Sequence, residues 1–241
     1  QDQIANAVAV QTNPTWGLDR IDQLSLGLSN SYTYDYTGNG VDAYIIDTGI
    51  LTSHTDFDGR AVFGFNAIGG MNVDSNGHGT HVAGTVGGTV LGVAKGVRLI
   101  AVKVLNAAGS GTYAQIIAGI DYVTSNHTTN PAVANMSLGG GASTALDNAV
   151  RNSIADGITY CVAAGNSSAN ASNYSPARVT QAITVGATSS TDGWASFSNF
   201  GTVVDVLAPG VNITSAWNTS NTAAAVLSGT SMASPHVAGC A

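Results

Sequence analysis

The chain has 241 residues, 44% of them apolar and only 9% charged, and its net charge of −7 sets seven Lys and Arg against fourteen acids, all Asp. That length gives one large domain or two small ones with a substantial core. The sparse, acidic charge lacks the footprint of a nucleic-acid binder, and no uninterrupted apolar run reaches the length of a membrane span.

In chain order, residues 1–10 match no core pattern and read as a tail. Strands are expected over Ala43–Ile46 and Ala61–Phe65, a helix over His78–Gly88 and a strand over Leu99–Leu105. A helix over Tyr113–Ser125, a strand over Ala132–Met136 and a helix over Thr144–Asp156 follow. Strands over Thr159–Ala163, Ile183–Ala187 and Val203–Leu207 precede a last helix from Ser231 onward. Strands apolar throughout, alternating with helical patterns, predict an α/β fold of three layers: a mostly parallel central sheet with helices on both faces. No repeat or linker interrupts residues 11–241, so they read as one domain. Ligands in such sheets gather beyond the carboxyl ends of the strands.

Cys161 and Cys240 are too few for a disulfide framework or a zinc site. They read as two buried free thiols, with a bridge between them as the alternative. Of seven Asn-X-Ser/Thr acceptors, Asn170, Asn173 and Asn218 lie in loop-like sequence and are the better candidates for sugar. A surface made polar by Ser, Thr, Asn and Gly suits a secreted protein.

Five segments carry candidate chemistry. Asp47 ends an apolar strand and precedes Thr48-Gly49, at the edge of the expected crevice; an ordinary turn Asp is the other reading. Asp-Thr-Gly is also a signature of aspartic proteases, which need a second such carboxylate that this chain lacks. In Asn76-Gly77-His78-Gly79-Thr80-His81, a His opening a helix can accept a proton on one nitrogen and donate to a carboxylate from the other. A metal site on His78 and His81 would need a third ligand and a base, and no His-Glu-X-X-His is present. His81 reads as a structural neighbour, His236 as orienting the last helix, and His54 and His127 as solvated. Ser137-Leu138-Gly139-Gly140-Gly141 follows a strand and offers bare backbone to an extended peptide. Asn166, after Ala163-Ala164-Gly165, can aim an amide into the crevice as an oxyanion donor. Ser231, in Gly229-Thr230-Ser231-Met232-Ala233, is either a helix cap or a nucleophile among unpaired helix N–H groups.

The ordered set Asp47-Thr48-Gly49, His78-Gly79-Thr80-His81 and Gly229-Thr230-Ser231-Met232-Ala233 resembles the subtilisin-like serine peptidases (subtilases). Trp16-Gly17-Leu18-Asp19-Arg20-Ile21, Gly92-Val93-Ala94-Lys95, Gly109-Ser110-Gly111-Thr112-Tyr113, Asn135-Met136-Ser137-Leu138-Gly139-Gly140 and Ser196-Phe197-Ser198-Asn199 are similar to the proteinase K branch. The resemblance implies a subtilisin-like fold and a secreted or vacuolar endopeptidase acting on polypeptides as a monomer. It implies Ser231 as nucleophile, His78 as base, Asp47 as its partner, and Asn166 with the Ser231 N–H as oxyanion hole. Gly109, Ser110, Gly111, Ser137, Leu138 and Gly139 would flank the substrate. Ala163, Gly165 and Tyr174 would line an S1 pocket for apolar or aromatic side chains, and Tyr113 would border S4. It further implies structural calcium held by Thr180, Ala182 and Asp205, with no catalytic cofactor. A propeptide is implied, of which residues 1–9 would be a remnant, and either that propeptide or a protein inhibitor is a candidate partner. Family chains continue past the position of Ala241. A catalytically silent, truncated fragment or partner-binding module is therefore the competing expectation. The family's usual disulfides are not carried over, since Asp42 and Ile183 stand at two of the cysteine positions.

Overall fold

The computed structural model describes residues 9–241. Of the expected tail, Ala9 and Val10 belong to the first strand, and the rest lies outside the described residues. In chain order the elements are β1 (Ala9–Thr12), α1 (Trp16–Ile21), β2 (Ser31–Tyr34), β3 (Asp42–Asp47), β4 (Ala61–Asn66), α2 (His78–Gly87), β5 (Arg98–Lys103), α3 (Tyr113–Asn126) and β6 (Ala132–Met136). There follow β7 (Gly140–Gly141), α4 (Thr144–Ala155), β8 (Thr159–Ala163), β9 (Tyr174–Ser175), β10 (Ile183–Thr188), β11 (Val206–Pro209), β12 (Ile213–Ala216), β13 (Ala224–Leu227) and α5 (Thr230–Cys240).

Seven strands form one sheet in the order β11-β10-β8-β6-β3-β5-β4, every pairing parallel. Helices cover both faces, which is why these strands are apolar without alternation. On β3, Tyr44 and Ile46 pack with Ile116 and Ile120 of α3 and Leu146 and Val150 of α4. Ala43 and Ile45 pack the other way, with Val82 and Val86 of α2 and Met232 of α5. Burying each such aliphatic side chain contributes about 1.5–3 kcal/mol. The three-layer architecture expected from the sequence is the one observed.

Boundaries shift for local reasons. β5 stops at Lys103, opposite Asp47 at the end of β3, whose carbonyl takes the last ladder bond from Val104 and also the Leu105 N–H. β11 begins three residues later than expected, since Val204 closes a turn on Gly201 and Asp205 is held by Thr184. Pro209 is tolerated as the last residue of this edge strand. Two other expectations fail. His54 is buried, with Nε2 on the Ala223 carbonyl, so it is not solvated. Of the two free cysteines, Cys161 is buried, but Cys240 is exposed.

This topology fixes where the site sits. The chain enters the sheet at β3, lays β4 and β5 on one side, then β6, β8, β10 and β11 on the other. The order reverses at β3, so a crevice opens at its carboxyl end. Asp47 is the last residue of that strand.

Candidate active site

Asp47 is fully buried, and both its oxygens face the His78 ring: Oδ1 and Oδ2 lie 2.8 and 2.9 Å from Nδ1. The Thr48 N–H also donates to Oδ1 at 2.7 Å. This fixes the tautomer, since an Nδ1–H held by a carboxylate leaves Nε2 as the acceptor. His78 is the first residue of α2, and the approach of that helix to the β3 turn requires glycine: a Cβ on Gly79 would lie 2.1 Å from the Gly49 carbonyl oxygen. Burial alone would push the His78 imidazole down, but the charge and hydrogen bond of Asp47, with the charge of Asp74, hold it above its usual value.

Ser231 lies in the first turn of α5, where backbone N–H groups have no partner within the helix. Its hydroxyl donates to the Ser137 carbonyl at 3.2 Å. Pro235 explains a second tie. Lacking an N–H, it leaves the Ser231 carbonyl without its helical donor, and the Ser137 hydroxyl donates there at 2.8 Å. Ser137 is itself held by Asn135 Nδ2, whose Oδ1 accepts from Ser234 of α5. Asn135, in the sequence both a part of the Asn135-Met136-Ser137 motif and one of the seven sugar acceptors, thus pins β6 to the serine helix. Its burial also closes it as a sugar acceptor.

Asn166 is oriented by α5. Its Oδ1 accepts from the Thr230 N–H at 2.8 Å and the Thr230 hydroxyl at 2.9 Å. A backbone N–H can only donate, so the oxygen faces Thr230 and the NH₂ group is turned away from it. Behind it, the buried Asn199 accepts from Ser167 and Ala169 and donates to the Ala164 carbonyl, which fixes the loop.

Two adjoining cavities bracket these groups. One of about 540 Å³ is lined by His78, Gly109, Ser110, Gly111, Tyr113 and Ser137. The other, of about 220 Å³, is lined by Ala163, Gly165, Asn166, Tyr174 and Ser231. Leu138 and Gly139 line both. Every residue expected to touch a substrate therefore borders one continuous cleft. Asn106 ties off part of this edge within a turn: its carbonyl accepts from the Gly109 N–H, its side chain accepts from the Ser110 N–H, and its own N–H donates to the Ser110 carbonyl.

Comparison with known proteins decides the family. The profile described as the subtilase family matches residues 38–241. The chain belongs to the subtilase family. An extracellular serine proteinase of Thermus sp. (strain Rt41A) is 62% identical over 242 residues, covering 100% of this chain and 59% of the relative. Proteinase T of Parengyodontium album is 53% identical, covering 99% of this chain and 83% of the relative. A solved structure described as a cold adapted subtilisin-like serine proteinase is 52% identical, with a TM-score of 0.92 over 95% of this chain and 83% of that one. The chain thus spans about six tenths of the length of the Thermus relative. The subtilase resemblance and its proteinase K-like branch, read from the motifs, are borne out.

The other histidines of this subtilase have structural surroundings. His81 Nε2 faces the carbonyls of Ile213 and Ala225, and burial pushes its imidazole down to about 4. His236 is likewise buried and lowered to about 4, with Nδ1 at the Met232 carbonyl. Among the described residues no three His, Cys, Asp or Glu side chains gather around a metal position. The expected calcium ligands are mostly backbone. Thr180 and Ala182 precede β10, and Asp205 is tied beside that strand by the Thr184 N–H to its Oδ2 at 2.8 Å. Two carbonyls and a carboxylate are the hard oxygen donors that calcium takes. Asn218, expected as a sugar acceptor, is only partly exposed and spends its Nδ2 on the Asp74 carbonyl.

Proposed function

We propose that this chain is a secreted serine endopeptidase that cleaves polypeptides through an acyl-enzyme on Ser231. The observation carrying this reading is His78, locked by both oxygens of buried Asp47, in a cleft that also holds Ser231 and the anchored Asn166 amide. The Ser231 hydroxyl leaves the Ser137 carbonyl, turns to His78 Nε2 and attacks the scissile carbonyl as the imidazole takes its proton. Asp47 stabilises the imidazolium without being protonated. The Ser231 N–H and Asn166 Nδ2 hold the developing oxyanion, and each such donor is worth roughly 10²- to 10³-fold in turnover. His78 then protonates the leaving amine, and water releases the acyl group by the same steps. Secretion is supported by the uncharged polar composition and by the Thermus relative being an extracellular serine proteinase by name. A propeptide or protein inhibitor would occupy the same cleft.

The S1 pocket takes apolar or aromatic side chains. Its walls include Ala163, Ala177 and Tyr174, with no charged side chain among the residues that line it. Peptide anilides differing only at P1 test this reading. Phe or Leu at P1 is expected to exceed Asp or Lys by about 10-fold or more in kcat/KM. Equal rates would remove the preference, and no hydrolysis of any of them would remove the peptidase reading.

Calcium held by the carbonyls of Thr180 and Ala182 and the carboxylate of Asp205 would brace β10 and β11 away from the cleft, stabilising the native state by mass action. With calcium at 100 times its Kd, chelation is expected to lower Tm by roughly 5–10 °C. A melting curve unmoved by chelator would remove calcium from the account.

A further inference from the structure

Asp74 lies in the polar loop before α2, four residues from His78, and is buried. Its carboxylate collects five donors. Oδ1 accepts from the Thr48 hydroxyl at 2.9 Å, the Asn76 N–H at 3.0 Å and the Gly77 N–H at 2.8 Å. Oδ2 accepts from the Thr80 N–H at 2.9 Å and the Thr80 hydroxyl at 2.6 Å. These donors flank His78 on both sides in the chain. Thr48 joins the two buried carboxylates: its hydroxyl links Asp74 to the Gly79 N–H, and its own N–H donates to Asp47. The Thr48 carbonyl accepts from Lys103 Nζ, the buried ammonium of β5.

We propose that Asp74 is a positioning residue for the base, setting the seat of His78 through Thr48 and the first turn of α2 and adding negative charge behind the imidazole. The proposal rests on the peptidase reading for its kinetic consequence. The ionisable groups around His78 are few. Asp47 faces it from β3 and Asp74 from the preceding loop, Lys103 of β5 acts on both carboxylates, and His81 lies further along α2. β6 and the first turn of α5 carry no ionisable side chain, and the β12–β13 connection brings only Trp217 and Asn218 near the Gly77 cap. A purely structural Asp74 would change the folded fraction and nothing else. A positioning Asp74 changes the base itself.

The test compares the chain with Asp74→Asn, by the pH dependence of kcat and KM on a peptide anilide and by NMR titration of the His78 ring. Loss of the charge is expected to move the His78 titration and the acid limb of kcat/KM to lower pH. Loss of the seat is expected to cut kcat by about 10-fold or more, with KM within about twofold. A His78 titration unmoved in Asp74→Asn overturns the proposal whatever the activity does. If the unsubstituted chain cleaves nothing, the peptidase reading fails separately and the NMR titration still decides the charge effect. If Asp74→Asn does not fold, Thr48→Val decides: a fall in kcat at constant KM supports the proposal, and an unchanged kcat overturns it.

Discussion

Replacing Ser231 by alanine is expected to lower kcat for peptide hydrolysis by about 10⁶-fold, the size of loss known for the nucleophile of subtilisin. The structure gives the reason the effect is chemical. The hydroxyl makes one long hydrogen bond, to the Ser137 carbonyl, so its removal leaves no strong acceptor orphaned in the core. The ties that seat the helix, from Ser137 to the Ser231 carbonyl and from Ser234 to Asn135, do not use that hydroxyl. Tm is therefore expected to stay within a few degrees, and KM within a few-fold. A residual rate above that in water is expected too, because the Ser231 N–H and Asn166 amide survive. Initial rates on a peptide anilide with an intact-mass check measure this. A variant keeping a hundredth of the turnover would mean that His78 and Asp47 activate water directly.

Asp47→Asn is expected to cost about 10⁴-fold in kcat. An amide in this buried position would present either an oxygen or an NH₂ group to His78 Nδ1. Held by an NH₂ donor, the ring takes the tautomer with its proton on Nε2, and it can no longer accept the serine proton. The Thr48 N–H, which donates to Oδ1, favours keeping the amide oxygen on that side. The pH profile separates this from simple misfolding. The base works when neutral, so activity rises with pH through the His78 titration, which Asp47 and Asp74 hold above the ordinary value against burial. Removing the Asp47 charge leaves burial dominant and should move the acid limb to lower pH. An acid limb unmoved in Asp47→Asn would separate that limb from His78.

Much of this was legible in the chain because the central sheet is buried on both faces. β3, β6, β8 and β10 announce themselves as apolar, β-branched runs, and Asp47 and His78 stand out as polar residues where such a run ends and a helix begins. The outlying pairs β1–β2 and β12–β13 were not legible. Their strands are four residues long with mixed exposure, and tertiary contacts decide their pairing. The six-residue helix α1 is similar: Asp19 stabilises its end by accepting from Ser29 and Asn30 beyond it. Within the site, side chains acting through others escaped notice. Asp74 is one more Asp in a polar loop of the sequence, although an Asp shortly before a helix start is a capping signal. Lys103, the one cation within the expected apolar strand Leu99–Leu105, was the other available signal. Pro235 inside the last helix already implied a free carbonyl at Ser231, but sequence alone could not name Ser137 as its donor.

The peptidase reading requires Ser231 to be the nucleophile of a working acyl-enzyme site. Titrating the chain with a serine-directed phosphonylating reagent, while following residual casein hydrolysis and mapping the adduct by peptide mass, tests it most directly. One adduct per chain is expected, on Ser231, accumulating in proportion to lost activity. Complete inhibition with Ser231 unlabelled, or full labelling of Ser231 with hydrolysis retained, would contradict it.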